Sequence, residues 1–183
     1  MSAGTRKILA VIAALGAAAA VVCIAISGKA PLLGDEFYDP DLKMSFRLPK
    51  GWGEAEPDAQ LRRVFSKRDR LLVAHFEGPR FGDSCELIVF ADGNRLFQVR
   101  KMILASDRAL KKKTLQDEFG KLNGIPVWMN QFGTGDPPLV LHHTRVVFDR
   151  GDKKVMLLFR LTAKSMREQA KAIPESISTV RLD

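Results

Sequence analysis

A chain of 183 residues with 46% hydrophobic and 27% charged residues has the makeup of a globular protein, which excludes a disordered or fibrous one and makes one domain the natural reading. The net charge of +8 suits contact with an anionic membrane surface or an acidic partner, and it bears on association and solubility rather than on fold.

The first residues stand apart from the rest. Ile8 to Ile26 contains no charge, no Pro and a single Gly, and as a helix this stretch reaches roughly 28 Å, close to the thickness of a bilayer's hydrocarbon core. Arg6 and Lys7 precede it, so the positive-inside tendency keeps the N-terminus in the cytoplasm and places everything after it outside. Residues 1–28 thus form a membrane anchor or signal segment, and the expected location is the cytoplasmic membrane, single pass, with a periplasmic body. The alternative is secretion after cleavage near Ser27, since Ala25-Ile26-Ser27 offers small residues where a signal peptidase acts. Val21 and Val22 ahead of Cys23 argue against a lipidated cysteine. Cys85 is then alone in the exported part, which has no intramolecular disulfide available to it and draws its stability from packing. Without Arg6, Lys7 and Lys29 that part carries 26 basic against 21 acidic residues.

Residues 29–41 hold Pro31, Gly34, Pro40 and four acidic side chains and read as a linker, ahead of a body over residues 42–183. Met44, Phe46 and Leu48 share one side of a first strand that Pro49 and Gly51 end, with Trp52 at the corner. Arg63 to Ser66, Leu71 to Phe76 and Cys85 to Ala91 are short β-rich runs separated by turn-forming segments, the pattern of an antiparallel meander. The period then changes. Leu96, Val99, Ile103 and Leu110 lie on one side of a helix between Asn94 and Lys112, with Asn94 as N-cap. Leu115 to Leu122 and Pro126 to Phe132 flank an Asn123-Gly124 turn, and Leu139 to Phe148 and Lys153 to Leu161 flank Asp149-Arg150-Gly151-Asp152, which predicts two hairpins. Ser165 as N-cap with Glu168 three residues on predicts a last helix that Pro174 ends or bends.

The segments "LKMSFRLPKGW", "LNGIPVW", "VVFDRGDKKVMLLFRLTA" and "IPESISTVRL", in this order from Leu42 to Leu182, resemble the PsbP-like family, which is named for the extrinsic photosystem protein and includes bacterial DcrB-type proteins. The resemblance implies an α+β fold, a central antiparallel sheet of about six strands flanked by helices as an α/β/α sandwich, with a Ser-containing final strand. It also implies a family whose members mostly assist larger assemblies or bind other proteins, with no shared catalytic residues. In that setting Pro-Lys-Gly-Trp is a strand-ending turn and Trp52 an aromatic corner over one end of the core.

Few residues point to chemistry. His142 and His143 are adjacent on a strand and face opposite sides, so they cannot easily grip one metal; His75 lies on another strand, and a two-His site from different strands is the alternative to structural or exposed histidines. Cys85 alternates with Leu87 and Val89, the pattern of a buried, inert thiol rather than a nucleophile. Residues 35–41 lack the acidic spacing of a calcium loop, and Gly133-Thr134-Gly135 runs into Pro137 and Pro138 where a phosphate-binding helix would have to start. No catalytic, metal or cofactor residues are assigned. Arg62, Arg63, Lys67, Arg68 and Arg70, with Phe65 among them, form a candidate patch for anions or a partner; no nucleic acid is expected outside the cytoplasm. The leading expectation is a non-catalytic, membrane-tethered exported domain, an accessory or protein-binding module of the cell envelope held to the cytoplasmic membrane by residues 8–26. The alternatives are a small-ligand or lipid carrier with a pocket between sheet and helices, and an exported enzyme using Cys85 or the histidines.

Overall fold

Side-chain alternation on the long strands gives the central sheet two buried faces, and each face is covered by a different layer. The computed structural model describes residues 32–183 other than 68, 92, 111, 137–139 and 183, so the leader and residues 29–31 lie outside the described residues. Ten strands appear in chain order. They are β1 (Leu33–Asp39), β2 (Met44–Pro49), β3 (Gly53–Glu54), β4 (Arg70–Glu77), β5 (Ser84–Phe90), β6 (Lys113–Leu122), β7 (Ile125–Thr134), β8 (Leu141–Arg150), β9 (Lys153–Thr162) and β10 (Arg181–Leu182). Among the described residues four helices join them: α1 (Ala59–Phe65), α2 (Leu96–Ala109), α3 (Ala163–Gln169) and α4 (Ala172–Ser178). The central sheet has seven antiparallel strands in the order β3-β4-β5-β9-β8-β7-β6, where about six were expected, and β1-β2-β10 form a second sheet of three.

On one face Cys85, Leu87, Val155, Leu157, Phe159 and Phe148 meet Met44, Phe46 and Leu48 of β2 and Ile173 and Ile177 of α4. On the other, Ile88, Phe90, Trp128, Phe132, Val147 and Met156 meet Leu96, Val99 and Ile103 of α2. The fold is α+β, as the resemblance implied, with one outer layer shared between a helix and the small sheet.

Several local readings need correction. The segment expected as a linker contains β1, which pairs with β2 in the register Phe37↔Phe46 and Asp39↔Met44. Leu33 is buried at its start, and Phe37 packs its ring 5.5 Å from Phe46 and 5.0 Å from Phe76. Exposed Asp35 and Glu36 and a register shift between Leu33 and Glu36 hid the alternation. The run from Arg63 is the end of α1 rather than a strand, because Asp58 Oδ1 accepts from the Leu61 N–H at 2.7 Å and starts a helix there. Helix α2 starts one residue later than expected. The Arg95 N–H donates to Gln98 Oε1 at 2.7 Å, and Asn94 turns back to the Ala91 carbonyl. Thr162, not Ser165, caps α3, its Oγ1 accepting from the Ser165 N–H. Glu168 is an ion-pair partner of Arg80 instead of a capping residue. Pro174 sits in the first turn of α4, where its missing N–H leaves no helical bond unmade. The final Ser-containing segment is therefore mostly helical, with only Arg181 and Leu182 pairing against β2.

Both hairpin turns form where predicted. Asn123 and Gly124 have φ of 51° and 82°, the left-handed pair that a two-residue hairpin needs. Asn123 Nδ2 also donates to the carbonyls of Ser178 and Val180, holding the C-terminal segment against this turn. At the opposite corner the Trp52 N–H donates to the Pro49 carbonyl, and the indole lies buried with its ring 5.9 Å from Phe159 and Nε1 donating to Gln169 Oε1 at 2.9 Å.

Gly78 closes the approach between this corner and the next loop. A Cβ there would meet the Asp83 Cβ at 2.7 Å and the Trp52 ring at 3.0 Å. Gly78→Ala is expected to lower unfolding stability by about 1–3 kcal/mol through overpacking. Gly53→Ala, with nothing within 4 Å, should leave the urea midpoint nearly unchanged. Equal midpoints for both variants would contradict this packing.

Candidate functional site

Charged residues interrupt the apolar strands on the α2 side of the sheet, and the strand pairing gathers them into two clusters. In the first, His75 of β4 stands opposite Glu86 of β5, and Ser84 stands opposite Arg160 of β9. Glu86 is fully buried. Its Oε1 accepts from Ser84 Oγ and from Arg160 Nη2, each at 2.8 Å, and Arg160 Nε donates to Ser84 Oγ at 3.1 Å. His75 Nδ1 lies 3.6 Å from Glu86 Oε1 and Nε2 lies 3.7 Å from Glu77 Oε1, ion-pair contacts rather than hydrogen bonds.

These neighbours set the charges. The Glu86 carboxylate, with Glu77 adding to it, raises the His75 pKa above its usual value even though burial pulls the other way. Burial pushes Glu86 up, but His75, Arg160 and Ser84 together bring it below the ordinary carboxylate range. Above this cluster opens a cleft of about 610 Å³ between α1 and the 78–83 loop, lined by Leu61, Phe65, His75, Phe81, Ser84 and Arg160 among others. The Ser84 hydroxyl is committed to Glu86, so the cleft contains no hydroxyl activated by a histidine.

The second cluster lies under the end of α2. Arg145 of β8 donates through Nη1 to Asp107 Oδ2 at 2.8 Å and to Asn130 Oδ1 at 3.0 Å, and its guanidinium lies 4.4 Å from the Phe132 ring centre. Lys112 Nζ reaches Asp107 Oδ1 at 3.1 Å and lies 4.8 Å from the same ring centre. His143 stacks on Phe132 at 4.4 Å and shares a 2.8 Å hydrogen bond between Nε2 and Thr134 Oγ1. Burial first, and then the cations Arg160, Lys112 and Arg145, press its pKa down to about 3. Such a ring is neutral and serves as packing.

The residues singled out in the sequence fall in different places. Cys85 is buried in the opposite core, and desolvation pushes its thiol well above the usual pKa, which makes it a poor nucleophile. His142 and His143 stand opposite Leu161 and Arg160 on successive positions of β8, hence on opposite faces. Among the described residues no group of three or more His, Cys, Asp or Glu is arranged to hold a metal ion. Arg62 and Arg63 are exposed on α1, where Arg62 pairs with Glu56 at 2.6 Å; Lys67 follows the helix and bridges to Arg70. Arg70 itself is half-buried on β4, and Arg68 lies outside the described residues. Sequence reasoning missed Glu86, Arg160, Arg145 and Asp107. A charge between two apolar neighbours, as in Cys85-Glu86-Leu87 and Phe159-Arg160-Leu161, was the available signal, and it becomes a site only when the strands pair.

Comparison with solved structures places this architecture. The chain is similar to the solution structure of cyanobacterial PsbP (CyanoP) from Synechocystis, at a TM-score of 0.62 and 11% identity over 87% of this chain and 98% of that one. It is also similar to a crystal structure from Bacteroides thetaiotaomicron, at a TM-score of 0.51 and 14% identity over 82% of this chain and 48% of that one. The chain therefore has a PsbP-like fold. At these identities the likeness establishes the fold alone. No protein-family model matches the sequence, and no curated protein matches it.

The two histidines make opposite contributions to stability against pH. His143, depressed to about 3, gives stability that is full above its unfolded value of 6.5 and is lost as pH falls toward 3. His75, raised above 6.5, gives stability that is full below 6.5 and is lost as pH rises through its folded value. Urea unfolding at pH 7 and pH 5 should accordingly show His143→Gln losing less stability on acidification than the wild-type chain, and His75→Gln losing more. Parallel pH profiles for all three proteins would contradict the assignment.

Proposed function

We propose that this chain is a non-catalytic, membrane-tethered exported domain that serves as a protein-binding module of the cell envelope. The apolar stretch Ile8 to Ile26 behind Arg6 and Lys7 supports the tether and the orientation. The observation that carries the binding role is strand β6. It closes one edge of the seven-stranded sheet, runs ten residues and, among the described residues, pairs on only one side, with β7. Leu115 and Phe119 stand exposed on it, Arg100 of α2 lies over the Phe119 ring at 5.6 Å, and Phe97 is exposed one turn earlier on the same helix. A long edge with exposed apolar side chains is a template for another chain. The occupant in this reading is an extended segment of an envelope protein that adds a strand beside β6.

Burial supports surface binding over carriage. The layer between sheet and α2 is filled by Ile88, Phe90, Trp128 and Phe132 against Val99 and Ile103, and the space beside it is an open cleft in which Leu61, Phe65 and Phe81 are mixed with charged residues rather than an enclosed apolar cavity. Of the residues an enzyme reading would use, Cys85 or the histidines, Cys85 is buried with its thiol held protonated, and His143 is half-buried with its imidazole held neutral.

A photo-crosslinking residue at Leu115 in intact cells should give one discrete adduct with a protein that mass spectrometry identifies, and the same residue at Tyr38 on the small sheet should not. Phe119→Glu should abolish the Leu115 adduct while leaving thermal unfolding within about 0.5 kcal/mol of wild type, as for an exposed position. A Leu115 adduct that persists in Phe119→Glu, or none at all, would contradict a docking edge at β6.

A further inference from the structure

We propose that the 78–82 loop and helix α1 form a face that docks on an anionic lipid surface, with Phe81 as the residue that enters the bilayer interface. The inference rests on the reading of residues 8–26 as an anchor and adds to it which end of the body meets the membrane.

Among the described residues Phe81 is the most exposed of the large apolar side chains, more so than Phe97 or Phe119. Its loop is braced rather than loose. The Gly78 N–H donates to the Asp83 carbonyl and the Asp83 N–H to the Arg80 carbonyl, both at 3.0 Å, and Gly82 takes φ of 89° to close the turn. Arg80 is held by both oxygens of Glu168 at 2.8–3.0 Å, which fixes the loop to α3. A rigid turn that holds an aromatic ring entirely in solvent is unfavourable in water and well suited to the headgroup level of a membrane.

Across the cleft, α1 has no buried residue and no acidic residue in its first turn. Val64 is 47% exposed, and Leu61 and Phe65 line the same cleft as Phe81. Arg63 and Lys67 are exposed, and among the described residues neither forms an ion pair with a carboxylate. Lys164 on α3 and Lys171, between α3 and α4, are exposed before and after Glu168 in the chain. The acidic residues that line the cleft are engaged, Glu56 with Arg62, Asp58 with the α1 N-terminus, Glu77 beside His75 and Asp83 with the Thr162 N–H, and Glu168 pairs with Arg80, whereas Glu54 on β3 is exposed and, among the described residues, unpaired. Arg63, Lys67, Lys164 and Lys171 against Glu54 leave the free charge around the projecting aromatic predominantly basic, the pattern that anionic headgroups attract.

The entry point of the chain lies at the same end. A Cβ on Gly34 would stand 3.4 Å from Lys50 Cα, and one on Gly51 would stand 3.8 Å from Pro79 Cβ, so the start of β1, the Pro49–Trp52 corner and the Phe81 loop are neighbours. Because the expected linker contains β1, only residues 27–32 separate Ile26 from Leu33, a reach of at most roughly 20–25 Å.

The test is full-length Phe81→Trp reconstituted in vesicles of phosphatidylcholine and phosphatidylglycerol, with and without brominated acyl chains. Trp52 and Trp128 are buried and supply the background seen in the wild-type chain. The expected result is a blue-shifted emission from the introduced indole that brominated lipid quenches, with quenching lost in pure phosphatidylcholine and in the added Arg63→Glu/Lys67→Glu pair. Protein that floats with the vesicles and resists alkaline carbonate while the introduced indole stays unquenched would overturn the docking face and leave the anchor standing. Protein that fails to float would overturn the anchor and this proposal with it. A photo-crosslinker at position 81 that captures a protein in place of lipid would assign the face to a partner protein and overturn the proposal.

Discussion

The buried guanidinium of Arg145 is the constraint on which the α2 side of the fold depends. A cation taken from water into a core must be matched by charge and hydrogen bonds, and removing one partner of such a pair typically costs about 3–5 kcal/mol. Asp107 and Asn130 supply the match, and Phe132 and Trp128 lie within cation–π reach. Asp107 belongs to α2, so the requirement fixes the last turn of that helix against the middle of the sheet. Once that end is fixed, Leu96, Val99 and Ile103 fall over Ile88, Phe90 and Trp128, and Arg100 reaches Asp117 on the edge strand, where Trp128 Nε1 also donates at 2.7 Å. The exposed aromatic surface beside β6 is therefore held in place from within.

The opposite face works by apolar packing and needs no such match. Phe46, Phe76 and Phe37 meet edge to face or tilted at 5.0–5.6 Å, and the small sheet closes over Leu87, Leu157 and Phe159. Burial on this side keeps the Cys85 thiol protonated and away from solvent. The fold thus divides its labour: one face is a core, and the other is a core with charged residues set at its ends, where they reach the cleft and the edge.

Much of this was legible in the sequence and some of it was not. Period-two runs with strong turns, such as Val155 to Leu161 after Asp149-Arg150-Gly151-Asp152, gave strands in the right places because both the alternation and the turn chemistry are local. The shift to a period near 3.6 from Leu96 marked α2. Strand β1 was hidden because acidic residues occupy its exposed side and Leu33 and Phe37 carry its packing, and α1 was hidden because its signal is a single Asp58 cap ahead of a basic, weakly apolar stretch. The charged clusters were illegible for a different reason. Glu86 and Arg160 are 74 positions apart, and only the pairing of β5 with β9 makes them neighbours. The Phe81 loop read as a turn, and nothing local distinguishes an aromatic held in solvent from one that folds inward.

The proposed role joins these parts to the apolar leader: a braced, basic, aromatic end toward the lipid and an open sheet edge for a partner. The whole reading depends on the body standing outside the cytoplasm. Alkaline phosphatase fused after Asp183 in the full-length chain measures this directly, since the enzyme is active only after export. The account predicts an active fusion that sediments with the membrane fraction, and a green fluorescent protein fusion at the same position that stays dark. A dark phosphatase fusion together with a bright fluorescent one would place the body in the cytoplasm and contradict the account.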